Sequence, residues 1–213
     1  MKEILKTAWF LFVTCAIAAV LLAATEQLTA PRIKEFQRRS LMEAKKIVLP
    51  GAETFKQVDF ANEKLTGTPA TKSIDLGFDA AGKPLGFVVL ANPKGYGGPI
   101  EMVVGFRSDL VLAGVKIQVM KETPGLGTKL TGKFMEDFLG ACAKVGNAIR
   151  LRVKKDGGDV DAITAATVSS RAFCRGIQEA KDLVAAHREQ LETMVATGTS
   201  PLTPANEGIG GSK

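Results

Sequence analysis

The sequence predicts an α+β fold: one N-terminal transmembrane helix, then a single domain in which an antiparallel sheet packs against helices. Three observations carry that prediction. Residues 7–25 hold no charge and are mostly apolar, four short strand-like segments follow with turn residues between them, and apolar residues from Phe173 onward recur at helical spacing.

Residues 1–6 form a short flank carrying Lys2 and Lys6, and Thr7 to Thr25 is the membrane segment. Its roughly 19 residues, at about 1.5 Å each, match a hydrocarbon layer of about 30 Å. A cleaved signal peptide competes, since small residues Ala23, Ala24 and Thr25 end the run; the run is longer than the usual apolar core of such peptides, about 7–15 residues. Arg32 to Val48 reads as a helix stopped by Pro50-Gly51. Strands are expected at Ser73–Phe78, Gly86–Leu90, Ile100–Phe106 and Leu110–Met120, with Asp79 to Lys83 and Ser108-Asp109 as hairpin turns. A shorter helix is expected around Gly132 to Gly140. Val160 to Ile163 reads as a short apolar strand end, and Phe173, Ile177, Ala180 and Val184 mark a long helix after a turn at Thr164 to Thr167. Residues 26–195 thus suffice for one compact domain. Residues 196–213, rich in Gly, Ser, Pro and Thr, read as a flexible C-terminal tail.

Composition excludes several classes. The net charge of +6 is spread along the chain without aromatic interleaving or a reader motif, so no nucleic-acid partner is expected. The positives from Arg32 through Lys46 can face anionic lipid or partner subunits, or simply the solvated side of an amphipathic helix carrying Ile33, Phe36, Ala44 and Ile47. Cys15, Cys142 and Cys174 lack metal-ligand spacing, so no metal site is expected; Cys142 and Cys174 can be a disulfide or buried free thiols. His187 reads as a packing or capping residue. With one histidine and no Gly-x-Ser-x-Gly elbow, hydrolytic catalysis has no base partner, and no catalytic residue is expected.

Chemistry concentrates in Asp161-Ala162-Ile163-Thr164-Ala165-Ala166-Thr167, which places a hydroxyl beside a helix start. Helix N-termini favour anions, because unpaired N–H groups and the positive end of the macrodipole converge there. A helix-capping threonine is the structural alternative. Upstream lie Glu122-Thr123-Pro124-Gly125-Leu126-Gly127 and Gly95-Tyr96-Gly97-Gly98-Pro99-Ile100, glycine-rich turns that let another group approach the backbone.

The first segment resembles the flavinylation motif Asp-x-x-(Ser/Thr)-Gly-Ala-Thr of the G subunit of the Rnf electron-transport complex and of its relative, the C subunit of the sodium-translocating NADH:quinone reductase. Asp161, Thr164, Ala166 and Thr167 match, and Ala165 replaces the usual glycine. The two upstream turns resemble further signatures of the same family, in the expected order. The resemblance implies FMN bound covalently through its phosphate to Thr167, with Asp161, Thr164, Ala165 and Ala166 shaping the attachment turn or its recognition by a flavin transferase. It implies a pocket lined by Glu122, Thr123, Gly125, Leu126, Gly127 and Thr128. It further implies an electron relay in an ion-translocating ferredoxin:NAD+ oxidoreductase complex, without a substrate site of its own, whose partners are the other Rnf subunits, especially the membrane ones. The chain would be single-pass in the inner membrane, its domain on the periplasmic or extracellular side. Flanking charge alone, with Arg32, Lys34, Arg38 and Arg39 after the helix, points the other way. The quinone reductase homologue and an unflavinylated membrane-anchored scaffold are the alternatives. The absence of a Gly-x-Gly-x-x-Gly fingerprint assigns NAD to another subunit.

Overall fold

A computed structural model describes residues 2–58 and 71–188, so the expected tail at 196–213 and the expected domain end at 195 lie outside the described residues. The chain divides into two compact units, Met1–Glu43 and Ala44–Lys213.

Helix α1 runs Lys2–Val48 without a break and contains Pro31. This corrects the expectation of one helix at 7–25 and a separate one at 32–48. A proline inside a helix costs about 3 kcal/mol, through a lost N–H and a crowded carbonyl one turn back. Gln27, Leu28, Lys34 and Glu35 on either side are good helix formers that oppose a break. The helix is long and apolar enough to cross a membrane. Leu11, Phe12, Val20 and Leu22 stand exposed on it, a surface suited to hydrocarbon rather than water.

The second unit is built on a five-stranded meander in the order β1-β2-β3-β4-β5. Its strands are β1 Thr54–Val58, β2 Thr71–Phe78, β3 Pro84–Ala91, β4 Ile100–Arg107 and β5 Leu112–Met120, each antiparallel to the next. β1 was not expected: Thr-Phe-Lys-Gln-Val sits at the sheet edge and buries only Val58, so its apolar pattern is too thin to read. The turns are held by their aspartates. Asp79 Oδ1 accepts from the Ala81 and Lys83 amides at 2.9 and 2.7 Å, and Asp109 Oδ1 accepts from the Val111 amide at 3.0 Å.

Alternation along the strands sorts the two faces. Phe87, Val89 and Ala91 of β3 and Ile100, Met102, Val104 and Phe106 of β4 join one buried cluster. Helices α2 (Lys133–Val145) and α3 (Thr167–Ala186) complete it with Phe138, Cys142, Phe173, Ile177, Ala180 and Val184. Phe173 meets Phe134 and Phe138 edge-on at centroid distances of 5.6 and 5.0 Å. On the other face, the bare backbone of Gly105 admits the end of α1: a Cβ there would lie 2.2 Å from the Val48 carbonyl oxygen. Lys45 and Asp75 form a buried ion pair at 2.9 Å on that face.

No regular strand precedes α3, which corrects the reading of Val160 to Ile163 as a strand end. Only a bridge between Val153 and Val160 forms there, in a segment interrupted by Gly157 and Gly158 and pinned by ion pairs. Cys142 and Cys174 are free buried thiols. Burial pushes their pKa values up to about 11 and about 12. His187 ends α3, with Nδ1 3.0 Å from the Leu183 carbonyl oxygen, as expected of a capping residue.

Candidate functional site

The three glycine- and threonine-rich segments singled out in the sequence converge on one cavity of about 470 Å³. Its wall is formed by Tyr96 from the first turn, Glu122, Thr123, Leu126 and Gly127 from the second, and Ala165 to Ser169 from the third. Gly125, Thr128, Asp161 and Thr164 lie off that wall.

The second segment folds as its residues dictate. Leu126 N–H donates to the Thr123 carbonyl at 3.2 Å across Pro124 and Gly125, and Gly125 takes φ +77°. Proline presets the first central position and glycine supplies the left-handed second. Thr128 Oγ1 accepts from the Gly125 amide at 2.9 Å, which closes the turn onto the short 3-10 helix Gly127–Leu130.

Glu122 fastens the three segments together. Its carboxylate is buried; Oε1 accepts from the Tyr96 and Gly97 amides at 2.9 and 3.3 Å, and Oε2 accepts from the Ser169 hydroxyl at 2.7 Å. The glycines around it leave room for the carboxylate: a Cβ at Gly95 would sit 2.1 Å from Oε1, and one at Gly127 2.6 Å from Oε2. The expectation that Glu122 lines the pocket therefore gains a second content. Both oxygens are already committed to protein donors, so its part is to hold the wall in place.

The third segment forms the turn into α3. Ala165 adopts φ +63°, the left-handed conformation that favours glycine, so the substitution leaves the turn's shape in place and adds Cβ strain of about 1–2 kcal/mol. Ser170 Oγ accepts from the Ile163 amide and donates to the Ala166 carbonyl, both at 3.0 Å, which pins the turn from within. The helix cap is Ala166, which has no side-chain capping bond. The reading of Thr164 or Thr167 as the cap is thereby corrected. Thr167 occupies the first helical position, half-buried on the cavity wall. Its hydroxyl makes no hydrogen bond among the described residues. The amides of Thr167, Val168 and Ser169 have no acceptor within the helix.

Asp161 is exposed and paired with Lys154 at 2.7 Å. Tyr96, Val168, Ser169 and Ser170 were not among the expected site residues. The glycines flanking Tyr96 were a usable signal; the serines, inside a helical run, gave none.

The cavity fits a phosphorylated flat ring in three respects: free amides and a free hydroxyl at a helix N-terminus, an apolar mouth of Tyr96, Leu126 and Val168, and turns whose backbone can be closely approached. Comparisons with known proteins bear on the family. A family model described as FMN-binding domain matches residues 95–182, and one described as RnfG N-terminal region matches residues 1–45. The G subunit of the ion-translocating oxidoreductase complex of Methanosarcina acetivorans is 35% identical over 87% of this chain and 96% of its own length. The G subunit of the Na+-translocating ferredoxin:NAD+ oxidoreductase complex of Acetobacterium woodii is 31% identical over 83% and 89% respectively. A crystal structure of Shewanella oneidensis NqrC shares 16% identity at a TM-score of 0.49, over 75% of this chain and 97% of that one. The chain belongs to the family of G subunits of ion-translocating oxidoreductase (Rnf) complexes and carries an FMN-binding domain.

Proposed function

We propose that the chain is a membrane-anchored flavoprotein subunit that holds FMN through a phosphoester to Thr167 and relays electrons within an Rnf complex. The observation that carries this reading is the Thr167 hydroxyl, uncommitted to any protein partner among the described residues, at the first turn of α3 and on the wall of the cavity. When bound, FMN supplies the redox chemistry. The chain supplies everything else.

In this reading Thr167 Oγ would hold the FMN phosphate as an ester, its hydroxyl proton lost and the leaving group of an activated flavin donor displaced on the flavin transferase, and the unpaired amides of Thr167 to Ser169 would offset the remaining charge. Thr123, Leu126, Gly127 and Tyr96 would line the space for the ring, while Glu122 fixes their spacing. A phosphodiester carries one charge where the free cofactor's phosphate carries nearly two, and it cannot dissociate. That permanence suits a carrier facing an aqueous compartment from which lost cofactor could not be recovered. Asp161, exposed and off the wall, together with Thr164, serves recognition by the flavin transferase. The large domain faces the periplasmic or extracellular side, α1 anchors it in the inner membrane, and the partners are the other Rnf subunits, above all the membrane ones.

The relatives above are G subunits, which favours this reading over the C subunit of the quinone reductase. The left-handed φ of Ala165, the conformation that a glycine would supply at this place, supports the flavinylated reading over the unflavinylated scaffold. Co-expression with an active flavin transferase tests the attachment. In-gel flavin fluorescence of the denatured chain should be present in wild type, weaker in Thr164→Val, and lost in Thr167→Val. Fluorescence that survives Thr167→Val would overturn the assignment.

A further inference from the structure

Glu122 is the one charged side chain on the wall of the flavin cavity among the described residues. It is 7% exposed and makes no ion pair among the described residues. Its three donors, the Tyr96 and Gly97 amides and the Ser169 hydroxyl, are dipoles and not cations. All of them donate to it, so neither oxygen faces an acceptor for a carboxyl proton, which is the pattern of an ionised carboxylate. Dipoles stabilise such a charge without cancelling it. Nor can the charge swing away, because the backbone closes around it: a Cβ at Gly95 would lie 2.1 Å from Oε1, and one at Gly127 2.6 Å from Oε2.

Fastening the wall does not by itself require this charge. A glutamine could accept from both backbone amides through its oxygen and donate to Ser169 through its NH2. Burying a charge is costly, and here no partner cation offsets the cost. The excess over what the wall needs is a fixed negative charge at the edge of the space for the ring.

We infer that the Glu122 carboxylate holds the reduction potential of the bound flavin low, so that the reduced ring passes its electrons on readily. The inference rests on the flavin reading above. Reduction places electrons on the ring, supplied by the neighbouring redox centre that the relay already requires, and protons from solvent offset them only in part. The ring thus gains negative charge, and Glu122 opposes that gain through space, without contact. A cavity of about 470 Å³ is roughly 8 Å across, which puts a ring it holds within about 10 Å of the carboxylate; at an effective dielectric of about 20, a unit charge at that range changes the equilibrium for adding one charge by about tenfold. Glu122 therefore acts on the flavin through its charge, in addition to the part its hydrogen bonds play in the wall.

The test titrates the full chain, co-expressed with an active flavin transferase, against a reference dye with dithionite as reductant. Visible absorbance reads the reduced-to-oxidised flavin ratio at a fixed dye ratio. Glu122→Gln, which removes the charge and keeps the reach, should raise that ratio by at least about fivefold. Glu122→Asp, which keeps the charge and shortens the reach, should lower the melting temperature yet leave the ratio within about twofold of wild type. Glu136→Gln, the same charge change at an exposed position of α2, should alter neither. An unmoved ratio in Glu122→Gln with flavin fluorescence still on the denatured chain, or a ratio shifted as far by Glu122→Asp as by Glu122→Gln, would overturn the inference and leave the attachment standing. A wild-type chain without flavin would overturn the attachment reading, and this inference with it.

Discussion

Removing the Glu122 carboxylate should loosen the whole cavity, and the size of the effect can be worked from its contacts. Glu122→Ala strips the acceptor from three donors, the Tyr96 and Gly97 amides and the Ser169 hydroxyl. Hydrogen bonds to a charged group contribute about 1.5–3 kcal/mol each, so the gross loss is large. Against it stands relief of the desolvation of a buried charge, itself several kcal/mol. Water entering from the cavity can also re-pair some of the donors. The balance is a net destabilisation of roughly 2–4 kcal/mol. At about 2–4 °C per kcal/mol for a domain of this size, the melting temperature should fall by roughly 4–16 °C. Glu122→Gln keeps an acceptor for the two amides while Ser169 reverses its bond to accept from the new amide, so the loss should be nearer 1 kcal/mol. Thermal unfolding of the purified full chain, followed by circular dichroism, measures both. If Glu122→Ala melts within about 2 °C of wild type, or if glutamine is as damaging as alanine, the fastening role is wrong.

Other outcomes follow from the same geometry. Ala165→Gly removes Cβ strain of about 1–2 kcal/mol but adds unfolded-state freedom of about 0.5–1 kcal/mol. The variant should therefore be up to about 1.5 kcal/mol more stable, and a clear drop in its urea midpoint would contradict the left-handed turn. The thiols of Cys142 and Cys174 keep their protons in the folded chain up to about pH 11 and 12, against an ordinary value of 9.0. Their contribution is complete below pH 9 and is lost as pH rises through 11 to 12. The urea midpoint should accordingly fall more steeply above pH 9 in wild type than in the Cys142→Ala/Cys174→Ala double variant; parallel curves would refute this. Arg171 and Arg150 hold Asp156 and Asp159 below the usual carboxylate range. The segment from Arg150 to Val160 should therefore gain amide exchange as pH drops below about 3.8 and not above it.

Much of the site was legible because its chemistry needs residue types that stand out. Pro124-Gly125 announced a turn with a left-handed second position, and the threonine at 167 fell beside the start of an apolar helical stripe; both are where the pattern put them. Strands β2 to β5 were readable from alternation, and Asp79 and Asp109 mark hairpin turns through bonds their short side chains make locally. What escaped depended on distant contacts. Glu122 was legible as a pocket residue, but its fastening role was not, since its three donors come from residues 25 to 47 positions away. Ser170 looks like any mid-helix serine until the Ile163 amide is seen pointing at it. The membrane helix at 7–25 and the helix at 32–48 read as separate, yet local preference for helix on both sides of Pro31 carried α1 through. The expected strand before α3 failed because an apolar tetrapeptide is too short to outweigh Gly157-Gly158 and a dense set of ion pairs.

The central claim, that Thr167 carries the cofactor, is tested most directly by peptide mass mapping of the chain isolated from its native membrane. The account predicts that the peptide spanning Thr164 and Thr167 gains the mass of one FMN less one water, with fragmentation placing it on Thr167. An unmodified peptide, or an adduct placed on Thr164, would contradict it.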